Sequence, residues 1–142
     1  MFQTPASQIG LVIMAAVCLF VGWAGRRPQK VAAAVVFVGW IASAAAEDRT
    51  FRHPQFLTMA LDVILTVVFV SLALRWRPLW LTALAAFQVL TMATHFAMIL
   101  DPRIWPRASI TAYMIWSYLV LASLGWGGIV GLLERRRAAT DP

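Results

Sequence analysis

Five long apolar stretches, at about 8–25, 31–46, 56–74, 79–100 and 108–133, are parted only by short breaks rich in charge and proline. This pattern constrains the chain more than any other feature. A helix needs about 20 residues to cross a hydrocarbon core, with a working range near 17 to 25. Four stretches meet that length. The second, 31–46, is short and alanine-rich, and it crosses only if the bilayer thins locally or the helix packs inside a bundle. It still counts as a span. Without it, the bases Arg26, Arg27 and Lys30 would face the same side as the later acidic break at Glu47 and Asp48.

Composition points the same way. Apolar residues make up 61% of the chain and charged ones 13%, whereas a soluble domain carries about a quarter charged residues. Too few polar side chains remain to cover a water-facing surface of this size. The expected fold class is an all-α membrane protein, a polytopic bundle of about five transmembrane helices forming a single domain over 1–142. Proline marks the breaks at Pro28, Pro54, Pro78, Pro102 and Pro106, since it cannot continue a helix and restricts the residue before it. Short breaks make successive helices antiparallel neighbours.

Orientation follows from the bases. The break at 26–30, the break at 75–78 and the tail after Leu133 hold eight of the twelve Lys and Arg residues. The other side holds Arg49, Arg52, Arg103 and Arg107, diluted by Glu47, Asp48 and Asp101. The bias predicts the N-terminus outside and the C-terminus in the cytoplasm. The high Ala, Arg and Trp usage fits a GC-rich bacterial genome, so the expected location is multi-pass in a bacterial inner membrane. Trp23, Trp76, Trp80, Trp105 and Trp126 fall near stretch ends, where an interfacial aromatic belt would put them.

The net charge of +6 does not gather on one face, which argues against nucleic acid. The expected partners are the lipid bilayer itself and anionic headgroups at Arg26, Arg27, Lys30, Arg135, Arg136 and Arg137, with a membrane-protein partner or a second copy as further candidates. A basic stretch, an apolar run and Ala44-Ala45-Ala46 resemble a signal peptide with its cleavage site, but they begin 25 residues into the chain behind another apolar run. The segments 15–23 and 33–40 echo each other. In a chain this rich in alanine and valine, shared composition explains that better than duplication.

Polar groups inside hydrocarbon are costly, and those present usually face the bundle interior with partners. Thr58, Asp62 and Thr66 recur at i, i+4 and i+8; Gln88, Thr91 and His95 at i, i+3 and i+7; Ser109, Tyr113 and Ser117 at i, i+4 and i+8. Each set occupies one helical face. At 1.5 Å per residue, Asp62 lies about 5 Å and His95 about 8 Å outside the middle of its stretch. With the two stretches antiparallel, both fall in one half of the membrane, so an Asp62–His95 contact is allowed. Asp62, Gln88, His95 and Tyr113 form the candidate polar intramembrane site. Its plainest role is to fix helix register, and its alternative is a proton-accepting or ligand-binding site.

Other chemistry has weaker support. His53 and His95 lie on the same side and would be the ligands of a bis-histidine haem, although His53 precedes Pro54 in a charged break and reads as surface. A metal site lacks a third ligand. Cys18 sits alone mid-stretch, which reads as a structural thiol. Gly10, Gly22, Gly39 and the glycines of 125–131 suit close helix approach. Met59, Met92, Met98 and Met114 read as gap-filling residues. Glu134 with Arg135, Arg136 and Arg137 reads as a stop-transfer anchor. With no nucleophile and base sharing a face or a depth, the expected function is non-enzymatic and cofactor-free, an accessory, scaffold or assembly component. The alternatives are a small oligomeric transporter or proton-coupled channel using Asp62 and His95, and a haem- or quinone-associated subunit.

Overall fold

Backbone N–H and C=O groups find no water inside a bilayer, so a spanning segment must satisfy them internally as helix. The computed structural model describes residues 5–46, 56–100 and 106–140, with side chains for 8–45, 56–100 and 108–139. The described residues form α1 (Pro5–Ala24), α2 (Arg27–Ala46), α3 (Phe56–Trp76), α4 (Leu79–Leu100) and α5 (Pro106–Thr140). Four helical stretches are long and apolar enough to cross a membrane: Arg27–Ala45, Phe56–Trp76, Leu79–Leu100 and Ala108–Ala139. The apolar stretch of α1, Gln8–Ala24, is shorter.

Two boundaries differ from expectation. Pro28 does not break the chain but sits in the first turn of α2, where its missing N–H costs nothing and its fixed φ suits the helix. The second helix therefore takes in Arg27 and Lys30 and reaches 20 residues, longer than 31–46. At the other end of the chain, Glu134 to Arg137 continue α5 as helix rather than following it as a tail.

Two tight turns join the first four helices in pairs. The Gly25 N–H donates to Val21 O at 2.8 Å, and a Cβ on Gly25 would lie 2.5 Å from that same oxygen, so only glycine fits. Gln29 Oε1 accepts from the Arg26 N–H at 3.1 Å and caps the start of α2. At the second turn Arg77 takes a left-handed φ of 56°, and its N–H donates to Ala73 O at 2.8 Å. That is the helix-ending role glycine usually fills. The Pro78 carbonyl then accepts from Leu81 and Thr82, each at 3.1 Å, and opens α4.

Each helix packs on its neighbour in sequence, and α5 returns to pack along α1 and touch α2, closing a ring. Five antiparallel steps cannot close without one parallel pair, and that pair is α1 with α5. Gly125 stands opposite Val17, Gly128 opposite Phe20 and Val21, and Gly131 opposite Gly25, the numbers rising together. Small residues let two backbones approach. A Cβ on Gly128 would come within 2.8 Å of Phe20 and Val21, and one on Gly127 within 2.6 Å of the Trp80 ring of α4. Around this seam Met14, Val21, Phe69, Leu81, Leu84, Leu121 and Leu124 are fully buried.

The same contacts bring Arg26, Arg27, Lys30, Arg75, Arg77 and Arg135 to Arg137 to one end of the bundle. Arg135 donates from Nη1 to Trp23 O and from Nη2 to Gly25 O, both at 2.9 Å, placing a cation on the last carbonyls of α1. Arg26 and Glu134 lie 3.7 Å apart at the surface, a pair of small net value. Trp23 is exposed and Trp76 half-buried at this end, and Trp80 is at the same end but buried against Gly127. Trp126 is exposed about level with Cys18, well inside α5, and Trp105 lies outside the described residues. Gly22 also departs from expectation, because nothing lies within 4 Å of a Cβ built there. The bundle's outer surface is apolar, with Val12, Leu19, Val38, Ile64, Val67, Leu74 and Leu79 all exposed.

Gly127→Leu is expected to destabilise the bundle by about 1–3 kcal/mol through overpacking against Trp80. Gly22→Ala is expected to be neutral or slightly stabilising. Thermal midpoints of the two variants in one detergent check the contrast, and equal midpoints would contradict the seam.

Candidate polar site inside the bundle

The site lies in the half of the bundle away from the basic end. At 1.5 Å per residue, Asp62 is about 9 Å from the start of α3, His95 about 8 Å from the end of α4 and Tyr113 about 10 Å from the start of α5. The three depths agree because α3 and α4 run antiparallel and α5 reverses direction again.

Asp62 is buried, and α4 occupies both of its carboxylate oxygens. Gln88 Nε2 donates to Oδ1 at 3.1 Å, and His95 Nε2 lies 2.8 Å from Oδ2. Gln88 and His95 are seven residues apart, two turns along one face of α4, so a single carboxylate between them receives both. The Asp62 and His95 side chains are 12% and 15% exposed, which leaves little lipid or solvent contact. Contacts on both carboxylate oxygens offset much of the cost of placing an ionisable group among apolar helices.

Tyr113 joins the cluster by its ring. The His95 and Tyr113 ring centroids lie 4.6 Å apart, tilted at 39°. The Tyr113 hydroxyl donates to Met98 Sδ at 3.4 Å. Of the four candidate residues, three are hydrogen-bonded to one another and the fourth packs against them.

The polar stripes are only partly shared. Thr66 Oγ1 donates to the Asp62 carbonyl at 2.7 Å, and Thr91 Oγ1 donates to the Phe87 carbonyl at 3.1 Å. Both hydroxyls therefore spend their hydrogen bond on their own helix. Ser109 Oγ is buried without a hydrogen-bond partner among the described residues. A bridge that the stripes did not reveal joins α4 to α5: Trp116 Nε1 donates to Thr94 Oγ1 at 3.2 Å, and the Trp116 ring stacks on Phe87 at 6.4 Å. Tryptophan looks apolar in a hydropathy profile, so only its indole N–H could have signalled this bond.

His53, the other ligand of the haem reading, lies outside the described residues. Among the described residues no three His, Cys, Asp or Glu side chains come together as a metal group. Cys18 Sγ lies 3.6 Å from the Ala33 carbonyl, a weak contact between α1 and α2. Comparisons with protein families, with curated proteins and with solved structures find no match to this chain.

The pair predicts an ordering of variants. Removing His95 alone takes from the carboxylate its shortest contact in an apolar setting and leaves Gln88 on the other oxygen. His95→Ala is therefore expected to cost more than the double variant Asp62→Asn/His95→Ala, in which no charge is stranded. The cycle's coupling energy is expected at about 0.5–2 kcal/mol, the range of interhelical polar contacts in membranes and somewhat above. Unfolding in mixed micelles reads both quantities. A coupling of zero would mean that the two side chains do not act together.

Proposed function

We propose that this chain is a non-enzymatic accessory, scaffold or assembly component of a bacterial inner membrane. It crosses five times, with its N-terminus outside and its C-terminus in the cytoplasm. The observation that carries the functional part is the closure of the polar site. Asp62 gives both oxygens to α4, and Tyr113 of α5 packs over His95, so the cluster behaves as a clamp among three helices. The orientation rests on the gathering of eight bases at one end of the bundle. The broad apolar outer faces, such as that formed by Ile64, Val67 and Leu74 on α3, suit contact with lipid or with another membrane protein.

A second reading is a small oligomeric transporter or proton-coupled channel. It is favoured by the 2.8 Å separation of Asp62 and His95, a carboxyl and an imidazole placed to exchange a proton. The haem- or quinone-associated reading has only His95 among the described residues to support it.

Proteoliposomes separate the first two readings. The accessory role is expected to give no proton flux above protein-free vesicles, with wild type and Asp62→Asn alike. Flux that Asp62→Asn and His95→Ala both abolish would establish the transporter instead. Mild-detergent purification is expected to bring down a stoichiometric membrane-protein partner, and a Soret band in the same eluate would show haem.

A further inference from the structure

The seam between α2 and α3 is lined only by apolar side chains. Ala34, Val38 and Ala42 of α2 face Leu61, Ile64 and Val68 of α3 across a groove of about 350 Å³ that opens on the outside of the bundle. Gly39 and Leu65 form its floor, where a Cβ on Gly39 would lie 2.8 Å from a Leu65 methyl, so the helices touch there while their outward edges diverge.

The groove has a charged mouth at the basic end. Arg27 stands two turns before Ala34 on α2, and Arg75 stands two turns beyond Val68 on α3. Seven residues bring each base back to within about 20° of the groove-lining face. Lys30, one turn before Ala34, lies about 40° beyond it on the outward edge of the groove, within reach of the mouth by its long stem. All three are exposed, and no ion pair or hydrogen bond engages their side chains among the described residues. The other bases at this end are differently placed. Arg26 faces Glu134, Arg77 Nε donates to the Leu74 carbonyl at 3.4 Å, Arg135 caps α1, and Arg136 and Arg137 already have interactions of their own. Glu134 is the only described acidic residue at this end, and it is opposite Arg26.

We infer that the α2–α3 seam binds one anionic phospholipid, with its phosphate held by Arg27, Lys30 and Arg75 and an acyl chain lying along Ala34, Val38, Ile64 and Val68. The apolar groove and the cationic mouth lie on one continuous face, matching the division of a lipid into chain and headgroup. Lys and Arg stems lie along apolar surface while their heads reach the interface, so the bases can meet a phosphate just above the groove. This inference is independent of the Asp62 cluster and of the accessory role.

Native mass spectrometry of the full chain in detergent tests it, using phosphatidylglycerol, phosphatidylcholine with the same acyl chains, and glycerol phosphate as probes. The expected result is one phosphatidylglycerol per chain, retained at least tenfold better than either other probe. Each base at an anionic lipid surface is worth roughly a fivefold factor, so Arg27→Gln/Lys30→Gln/Arg75→Gln is expected to bind on the order of a hundredfold more weakly. Val38→Trp, which fills the groove and leaves the bases in place, is expected to lose the lipid as well. Arg136→Gln/Arg137→Gln is expected to keep it. If the triple variant does not hold its fold, Lys30→Gln and Arg75→Gln singly are each expected to show the fivefold loss.

Unchanged binding in the base variants or in Val38→Trp would overturn the proposal. So would glycerol phosphate binding as tightly as the lipid, which would mean a simple anion site. A wild-type dimer that Val38→Trp converts to monomer would also overturn it, by giving the seam to a second copy.

Discussion

An odd number of up-and-down helices closed into a ring must set one pair parallel, and this bundle is organised around that pair. Parallel neighbours carry their dipoles side by side. Here α1 and α5 offset the disadvantage twice. Glycines on α5 let the backbones close up, so that dispersion contacts replace what charge alignment does not supply. Arg135 then delivers its guanidinium to the last carbonyls of α1, where positive charge is most useful. Gly127, Gly128 and Gly131 thus serve three different neighbours within little more than one turn: Trp80, the Phe20–Val21 pair and the Gly25 turn.

The opposite half of the bundle is held by different chemistry. No glycine lies in the described part of α3 or α4, and α3 buries little of itself, with only Asp62, Phe69 and Ala73 fully inside. Apolar packing has small advantage over lipid here, since a leucine is equally comfortable against an acyl chain. A directional contact is what lipid cannot imitate. The bonds from Gln88 and His95 to one carboxylate define how far α4 may rotate or slide against α3, which shape-matching of exposed valines and isoleucines would define poorly.

How much of this was legible depends on whether the information is local. Helix number, the proline-marked turns and the Asp62–His95 meeting could all be reasoned from periodicity and 1.5 Å of rise, because antiparallel neighbours with short connections have nearly determined depths. Pro28 is ambiguous in sequence because proline breaks a helix in its middle and is at home in its first turn, and only the position of the first helical hydrogen bonds distinguishes the two. Gly22 and Gly128 look alike in sequence, yet one faces open space and the other two side chains of α1. That difference depends on which helix is the non-sequential neighbour, namely α5 beside α1, and no spacing rule encodes ring closure. The echo between 15–23 and 33–40 ends the same way. Trp23 is exposed at the basic end while Trp40 packs at the core beside Gly10, so like sequence occupies unlike surroundings.

The tightness of the Arg77–Pro78 turn bears on how the chain enters its membrane. Asp62 emerges during synthesis 26 residues ahead of Gln88 and 33 ahead of His95, so a carboxylate bound for hydrocarbon precedes the groups that make it tolerable. Because almost nothing separates α3 from α4, the two can partition as one hairpin, already zipped at the carboxylate, instead of one helix after the other. A long connection at that point would decouple their entry and leave α3 to meet lipid with an unpartnered carboxyl group. On this account, the shortness of one turn protects biogenesis as much as it shapes the finished bundle.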